Sequence, residues 1–371
     1  MELKDNHQRI AFTLLIIILL TGTILRVHNL GNRGYNPDEV FSIHHASLTL
    51  KEIMGNSEND PHPPLYYIML HFWMEIFGDS EIATRSLSSL LGIISIFFMY
   101  HLGRLLFNRE TGMIASLIVA VSTFHITYSQ ELRMYSLMAV LTLASMFFFI
   151  KMMRERSIKF IVYYQLSSIL LLYSHVYGFF IILAQNLYLT VTSLKSTKQN
   201  PYIPLKKWIT LQILLLVAFI PWIWVLIHQI IGIKNGSFVN INWLPSPHLS
   251  DLFNTFSLYT YYDPITLALF SLLSLSVLIT WKKFGRNIKI QKSDTHLFIF
   301  LWLLVPILMP FVISELAFPI YYPKYTISAS LAFYMLTSRG ISQINNKYLK
   351  GLFLAAVISL SLTSIIYNSY H

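Results

Sequence analysis

Cysteine is absent from the 371 residues. That excludes disulfide frameworks, thiolate nucleophiles and cysteine-ligated zinc, so any metal site would use histidine and carboxylates. Charge is scarce too: 12% of residues are charged and 55% are hydrophobic, with a mean hydropathy of +0.56. Such a balance excludes a water-soluble domain and describes an all-α polytopic membrane protein. No internal repeat, low-complexity tract or soluble domain interrupts the chain. Residues 1–371 therefore read as a single transmembrane domain with no soluble C-terminal domain.

A bilayer core takes about 20 apolar residues per helical crossing. The first such run, AFTLLIIILLTGTIL, is followed by Arg26 and by no small-x-small cleavage site, so it reads as an uncleaved span. Eleven transmembrane helices are expected, over roughly 10–27, 81–106, 111–128, 133–150, 158–174, 176–194, 208–228, 264–281, 295–313, 325–341 and 350–367. With the N-terminus cytoplasmic, the inner segments hold 20 of the 27 basic residues. The net charge of +10 is thus a topology signal under the positive-inside rule, and no nucleic-acid partner is expected. The topology is that of a multi-pass protein of the cell (plasma) membrane.

The outer segments are fewer but longer, chiefly 28–80, 229–263 and 314–324, and they gather aromatics and proline. Long loops of this kind are usually functional. Within 28–80, EVFSIHHASLTLKEIM has helical periodicity, with Val40, Ile43, Ser47, Leu50 and Met54 on one side and Glu39, Ser42, His45, Thr49 and Glu52 on the other. This predicts one amphipathic helix lying on the membrane surface. A second interfacial helix should begin at the prolines of DPHPPLYYIMLHFWMEIFG, because proline suits a first helical turn.

Against this sparse background, NPDEVFSIHH places Asp38, Glu39, His44 and His45 within eight residues. Asp38 is either a helix cap, with Glu39 favouring the positive helix end, or a general base facing the outer aqueous space. The two roles are compatible. Asp60 and His62 in ENDPHPPLYY are either a turn cap and an interfacial histidine, or parts of a polar pocket. With Asp38 they are also the candidate ligands for a divalent metal ion, although Asp-x-His alone is a weak metal signal. His71 and Glu75, one turn apart, read as a local pair.

In TYSQELRMYSL, Gln130, Glu131, Arg133 and Tyr135 crowd a hinge between two spans. Arg133 breaks the inward bias of the other cations. It either snorkels towards headgroups or meets an anionic oxygen, since guanidinium matches phosphate. YYPKYTI repeats the theme with Lys324 between Tyr322 and Tyr325, and SHVYG sets His175 and Tyr177 at an outer hairpin. Arg85, at the outer start of a span, is similarly placed. Every strong polar cluster outside the basic inner loops falls on one face.

The ordered set NPDEV, HPPLYY, SQELRMYSL, SHVYGFFIILAQ and YYPKYTI resembles the membrane glycosyltransferases of the GT-C fold. Within them it is most similar to the dolichyl-phosphate-mannose protein mannosyltransferase and aminoarabinose-transferase-like group. The likeness runs over roughly 30–190 and returns at YYPKYTI. It implies transfer of a sugar from a polyprenyl-phosphate donor to a protein, lipid or glycan acceptor on the extracytoplasmic face, with inversion. It also implies Asp38 as catalytic base, with Glu39 its neighbour or alternate, and donor-phosphate binding near Arg133 and Lys324. Asp60, His62, Tyr66, Tyr135, His175 and Tyr325 complete the expected substrate-binding set. Some relatives use a divalent cation and others do not, and no further cofactor is implied.

Two rivals remain. A transporter or flippase for lipid-linked sugars would carry charge near mid-span and often repeated, broken helices. A non-catalytic subunit of a membrane assembly would tolerate loss of Asp38.

Overall fold

The computed structural model describes residues 2–55, 62–195, 203–235, 244–284 and 291–370. Asp60 lies outside the described residues, as do the inner-loop cations Lys198, Arg286 and Lys289. Sixteen α-helices and no strand occur among the described residues.

The first helix, α1 (Glu2–Val27), leads into three short helices: α2 (Pro37–Ala46), α3 (Leu50–Gly55) and α4 (Leu65–Phe77). There follow α5 (Glu81–Leu106), α6 (Arg109–Val121), α7 (Thr123–Ser129), α8 (Tyr135–Glu155), α9 (Ile158–Ser174) and α10 (Gly178–Lys195). The second half comprises α11 (Leu205–Lys234), α12 (Leu249–Tyr259), α13 (Pro264–Phe284), α14 (Gln291–Leu316), α15 (Ile327–Ser342) and α16 (Lys347–Tyr370). A 3-10 turn, Pro323–Thr326, precedes α15.

Each of the eleven expected spans meets a helix. Among the described residues six helices are long and apolar enough to cross a membrane, and the bent pair α6–α7, counted as one span, makes seven. Ile158–Ser174, Gly178–Leu194 and Pro264–Val277 are shorter apolar helices. α15 is 16 residues long and rich in Ser and Thr, and 14 of its residues are buried. It touches protein on every side, packed against α6, α8, α13 and α14, so its polarity is absorbed by neighbouring helices rather than lipid. By contrast, the apolar windows of α1, α11 and α16 are only 22%, 22% and 6% buried, which marks them as the peripheral helices.

Close approach needs small residues. A Cβ on Gly103 of α5 would lie 2.8 Å from the Cα of Gly112 on α6, and one on Gly340 of α15 would overlap the Leu273 carbonyl of α13.

The expected single helix over 39–54 is in fact two, α2 and α3, parted at Ser47–Leu48–Thr49. The reason is local. Ser47 closes α2 with its hydroxyl on the His44 carbonyl, and Thr49 starts α3 by exchanging hydrogen bonds with Glu52. The buried side of α2 is the polar one, with Glu39, Ser42 and His45 facing the protein. Val40 and Phe41 are exposed, the arrangement of an interfacial helix whose apolar face meets lipid. α4 begins at Leu65 with Pro64 as its N-cap, so the prolines expected in its first turn stand just before it.

The bundle has two unlike ends. At one, Lys350 pairs with Glu110 at 2.6 Å and Arg154 donates to the Leu105 carbonyl at 2.6 Å. At the other lie α2, the α7–α8 turn, the α9–α10 hairpin and the 3-10 turn.

Candidate active site

The site end is braced by a buried arginine. The α6–α7 chain bends by 60° at Ser122, which leaves carbonyls near the bend without helical partners. Arg26, with none of its surface exposed, donates to the carbonyls of Val119 (2.9 Å), Ala120 (3.0 Å) and Gly22 (3.1 Å) and to Ser129 Oγ (3.2 Å). Gln130 Nε2 in turn caps the end of α1, donating to the carbonyls of Leu25, Arg26 and His28. These bonds hold the turn that carries Glu131 and Arg133.

α2 is placed by its own first turn. The cap expected at Asp38 is Asn36 instead, two residues earlier: it forms a capping box with Glu39, with Glu39 N–H on Asn36 Oδ1 (2.9 Å) and Asn36 N–H on Glu39 Oε2 (3.0 Å), and Asp38 lies within the first turn. The same carboxylate takes a two-pronged grip from Arg85, Nε to Oε1 at 2.8 Å and Nη2 to Oε2 at 2.7 Å. It also accepts from Leu132 N–H at 3.1 Å. Arg85 additionally reaches the Leu30 carbonyl (2.7 Å) and Glu81 (3.2 Å). Burial raises the Glu39 pKa, but the bonds from Arg85, Asn36 and Leu132 outweigh it and leave the carboxyl below its ordinary value. The Glu39–Arg85 pair therefore locks α2 to α5 and to the α7–α8 turn.

Asp38 precedes Glu39 by one residue, about 100° round the helix, and meets different surroundings. Its side chain is half exposed and lies 3.4 Å from Lys324 Nζ, 286 residues away in sequence. Lys324 rides on the 3-10 turn, 5.5 Å from the Tyr135 ring centre and 5.4 Å from that of Tyr322.

One turn on from Asp38, Ser42 Oγ receives Arg133 Nη1 at 3.3 Å, and the same nitrogen reaches Tyr67 OH at 3.4 Å. Glu131, partly buried, lies within electrostatic reach of this group. Burial pushes its carboxyl up, against the pull of Lys324 and Arg133.

The remaining expected residues form an aromatic wall. His62 and His175 ring centres are 5.2 Å apart, His175 and Tyr325 5.0 Å, and Tyr135 and Tyr325 6.3 Å in a stacked arrangement. Tyr177 N–H donates to His175 Nδ1 at 3.1 Å, so in the neutral ring the proton sits on Nε2. Tyr177 OH donates to the Ile320 carbonyl at 2.9 Å and ties the hairpin to the strand of chain leading to Lys324.

The structure thus brings Asp38, His62, Arg133, Tyr135, His175, Lys324 and Tyr325 to one end of the bundle. Tyr66 is placed differently: it is fully buried, its hydroxyl 2.7 Å from Ser88 Oγ. Its neighbour Tyr67 is the tyrosine that meets Arg133. Glu131, Tyr67 and Tyr322 are members that the motifs did not single out for a role. The Glu131 signal was its place two residues before Arg133 in SQELR. His71 and Glu75 form the expected local pair at 3.6 Å.

A cation site is not assembled by the described donors. Among the described residues no group of three or more His, Asp or Glu could hold a metal ion, and Asp38 with His62 supplies fewer ligands than a divalent cation takes.

The sequence model for dolichyl-phosphate-mannose-protein mannosyltransferase matches residues 61–225. No curated protein matches the sequence. Among solved structures, ArnT from Cupriavidus metallidurans in its apo state aligns over 93% of this chain and 62% of its own, with a TM-score of 0.66 and 14% identity. The same enzyme bound to undecaprenyl phosphate aligns over 89% and 60%, with a TM-score of 0.61 and 14% identity. The archaeal oligosaccharyltransferase AglB from Archaeoglobus fulgidus, in complex with an inhibitory peptide and a dolichol-phosphate, aligns over 97% and 55%, with a TM-score of 0.55 and 13% identity. The chain therefore spans less than two thirds of the length of these proteins. At this identity the likeness is one of fold. The chain has the fold of the GT-C membrane glycosyltransferases and, over residues 61–225, a match to the dolichyl-phosphate-mannose-protein mannosyltransferase model.

Proposed function

We propose that this chain is a membrane glycosyltransferase that moves a sugar from a polyprenyl-phosphate donor to a hydroxyl of a protein, lipid or glycan acceptor. The observation that carries the reading is the meeting of Asp38 and Lys324 at 3.4 Å, with Arg133 on Ser42 one helical turn from Asp38, in a fold shared with a protein bound to undecaprenyl phosphate. A half-exposed carboxylate beside cations is what such a transfer needs. The acceptor oxygen attacks the anomeric carbon and the bond from that carbon to the phosphate oxygen breaks. Asp38 takes the acceptor proton. The leaving polyprenyl phosphate gains negative charge, which Lys324 and Arg133 offset from fixed positions.

A single displacement of this kind inverts the anomeric centre. The polyprenyl chain stays in the bilayer, which accounts for a site at the bundle end. The basic opposite end supports an extracytoplasmic site in the cell membrane. Glu39 acts here as the anchor of α2, leaving Asp38 to hold the proton. No step is assigned to a metal.

Transfer of radiolabelled sugar from polyprenyl-phosphate donors, with wild type and Asp38→Asn in membranes, tests the proposal. Wild-type transfer that disappears in a normally folded Asp38→Asn is the expected result. Full transfer by the variant removes the base assignment, and no transfer by wild type from a panel of sugar lipids favours a carrier.

A further inference from the structure

Beside the Asp38–Lys324 pair lies a cleft of about 390 Å³ of whose lining the transfer step above uses Lys324 alone. Its lining includes Tyr128, Asp251, Asn254, Tyr262, Tyr322 and Lys324. The volume falls in the range of about 300–1,000 Å³ typical of small-ligand sites. Lys324 belongs both to this lining and to the contact with Asp38, so the cleft opens at the candidate reacting groups.

The cleft is built on a fixed wall. Tyr321 OH bonds to Thr255 Oγ1, and Tyr259 OH donates to the Thr326 carbonyl at 3.0 Å, so α12 is tied to the turn bearing Lys324. Asp251 accepts His248 N–H at 2.8 Å and Asn254 Nδ2 at 3.1 Å. The second bond orients the Asn254 amide and leaves it one N–H and its carbonyl oxygen for a ligand. At the other side, Tyr261 and Tyr262 both have left-handed backbones, with φ of 55° and 62°. Two consecutive non-glycine residues in that region are costly, and such strain persists where the surroundings enforce it. The result is a tyrosine, 62% exposed, standing at the cleft rim.

We infer that this cleft is a sugar-ring subsite. Tyrosine faces offer flat, electron-rich surfaces to the C–H groups of a pyranose, and an oriented amide offers both a donor and an acceptor to its hydroxyls. A polyprenyl tail would need a continuous aliphatic wall, and beyond the prolines the lining offers Leu258 and the stem of Lys324 among tyrosines and polar groups. The inference rests on the glycosyltransferase reading for its meaning, though sugar binding can be measured without transfer. The ring held there belongs either to the donor or to a glycan acceptor, since both present the same chemistry.

Saturation-transfer NMR on the full chain in detergent, with a panel of methyl pyranosides as probes, tests binding directly. At least one glycoside should bind to wild type and to Asp38→Asn, with affinity at least fivefold lower in Tyr262→Ala and Asn254→Ala. Both altered side chains are exposed, so the variants should fold, which a thermal melt checks. No binding by wild type, or equal binding by both variants, overturns the subsite. Binding without transfer from any donor keeps the subsite and refutes the glycosyltransferase reading. Where transfer is measurable, a raised KM for donor in Tyr262→Ala assigns the ring to the donor, and a raised KM for acceptor assigns it to the acceptor. Neither KM changing overturns the inference.

Discussion

Asp38 and Glu39 are adjacent carboxylates with opposite fates. Glu39 is sealed: its side chain and that of Arg85 are 3% and 4% exposed, and each Glu39 oxygen accepts from Arg85 and from a backbone N–H. Asp38 is open, 50% exposed, with one partner at 3.4 Å. An exposed pair of that kind contributes at most about 1 kcal/mol. A buried pair broken on one side costs about 3–5 kcal/mol, because the remaining charge is left without compensation. The two residues divide the labour: the satisfied carboxylate holds the helix, and the unsatisfied one has oxygen lone pairs to offer a substrate.

The sharpest way to break this comparison is at Asp38. Asp38→Asn should lower transfer by roughly 10²–10⁴-fold, the range expected on losing a general base, while thermal unfolding in detergent stays where it was. A large loss of thermal stability would show that Asp38 is an anchor too.

Glu39→Ala should show the converse, losing about 3–5 kcal/mol of stability. Pairing Glu39→Leu with Arg85→Met should recover much of that loss, since no buried charge is then left alone. The Glu39 pKa lies below its ordinary value of 4.5 in the folded chain, so the pair's contribution is complete above that pH. It is withdrawn as pH falls through the folded pKa, and Glu39→Ala should therefore lose less stability on acidification than wild type.

Lys324→Ala sharpens the open side. With the cation gone, transfer should fall by about 10²-fold, the scale of removing one fixed partner of a developing negative charge, with stability nearly unchanged. Wild-type kinetics in this variant would separate Lys324 from the leaving group.

The smallest effect is expected at Glu131, whose carboxyl burial pushes upward. A raised folded pKa gives stability at low pH that is lost as pH rises through it. Glu131→Gln should accordingly lose less thermal stability than wild type as pH rises from acid to neutral. Parallel pH–stability curves would place Glu131 in an environment that does not favour its neutral form.

Much of the frame was legible along the chain because the forces that set it are local. Hydrophobic run length positioned the spans. The prolines before Leu65 marked the start of α4, and NPDEV that of α2, although the cap expected at Asp38 is supplied by Asn36. Where a local signal was read too broadly, as across Ser47–Leu48–Thr49, the structure resolved one expected helix into two. The gathering of polar clusters at one bundle end also followed from alternating spans, which return every second turn to the same side.

By itself, then, the sequence determined the all-helical frame, the neighbourhoods in which α2 and α4 begin and the set of residues that share an end. Tertiary structure alone decided which carboxylate was enclosed and which left open, because Glu39 meets Arg85 and Asp38 meets Lys324 only after α5 and the 3-10 turn are packed. It also decided that Tyr67 rather than Tyr66 faces Arg133 and that Arg26 repairs the bend in α6–α7. Those choices depend on the rotation and offset of helices far apart in sequence. Periodicity names the face of a helix, whereas its partner is fixed by packing against the rest of the bundle.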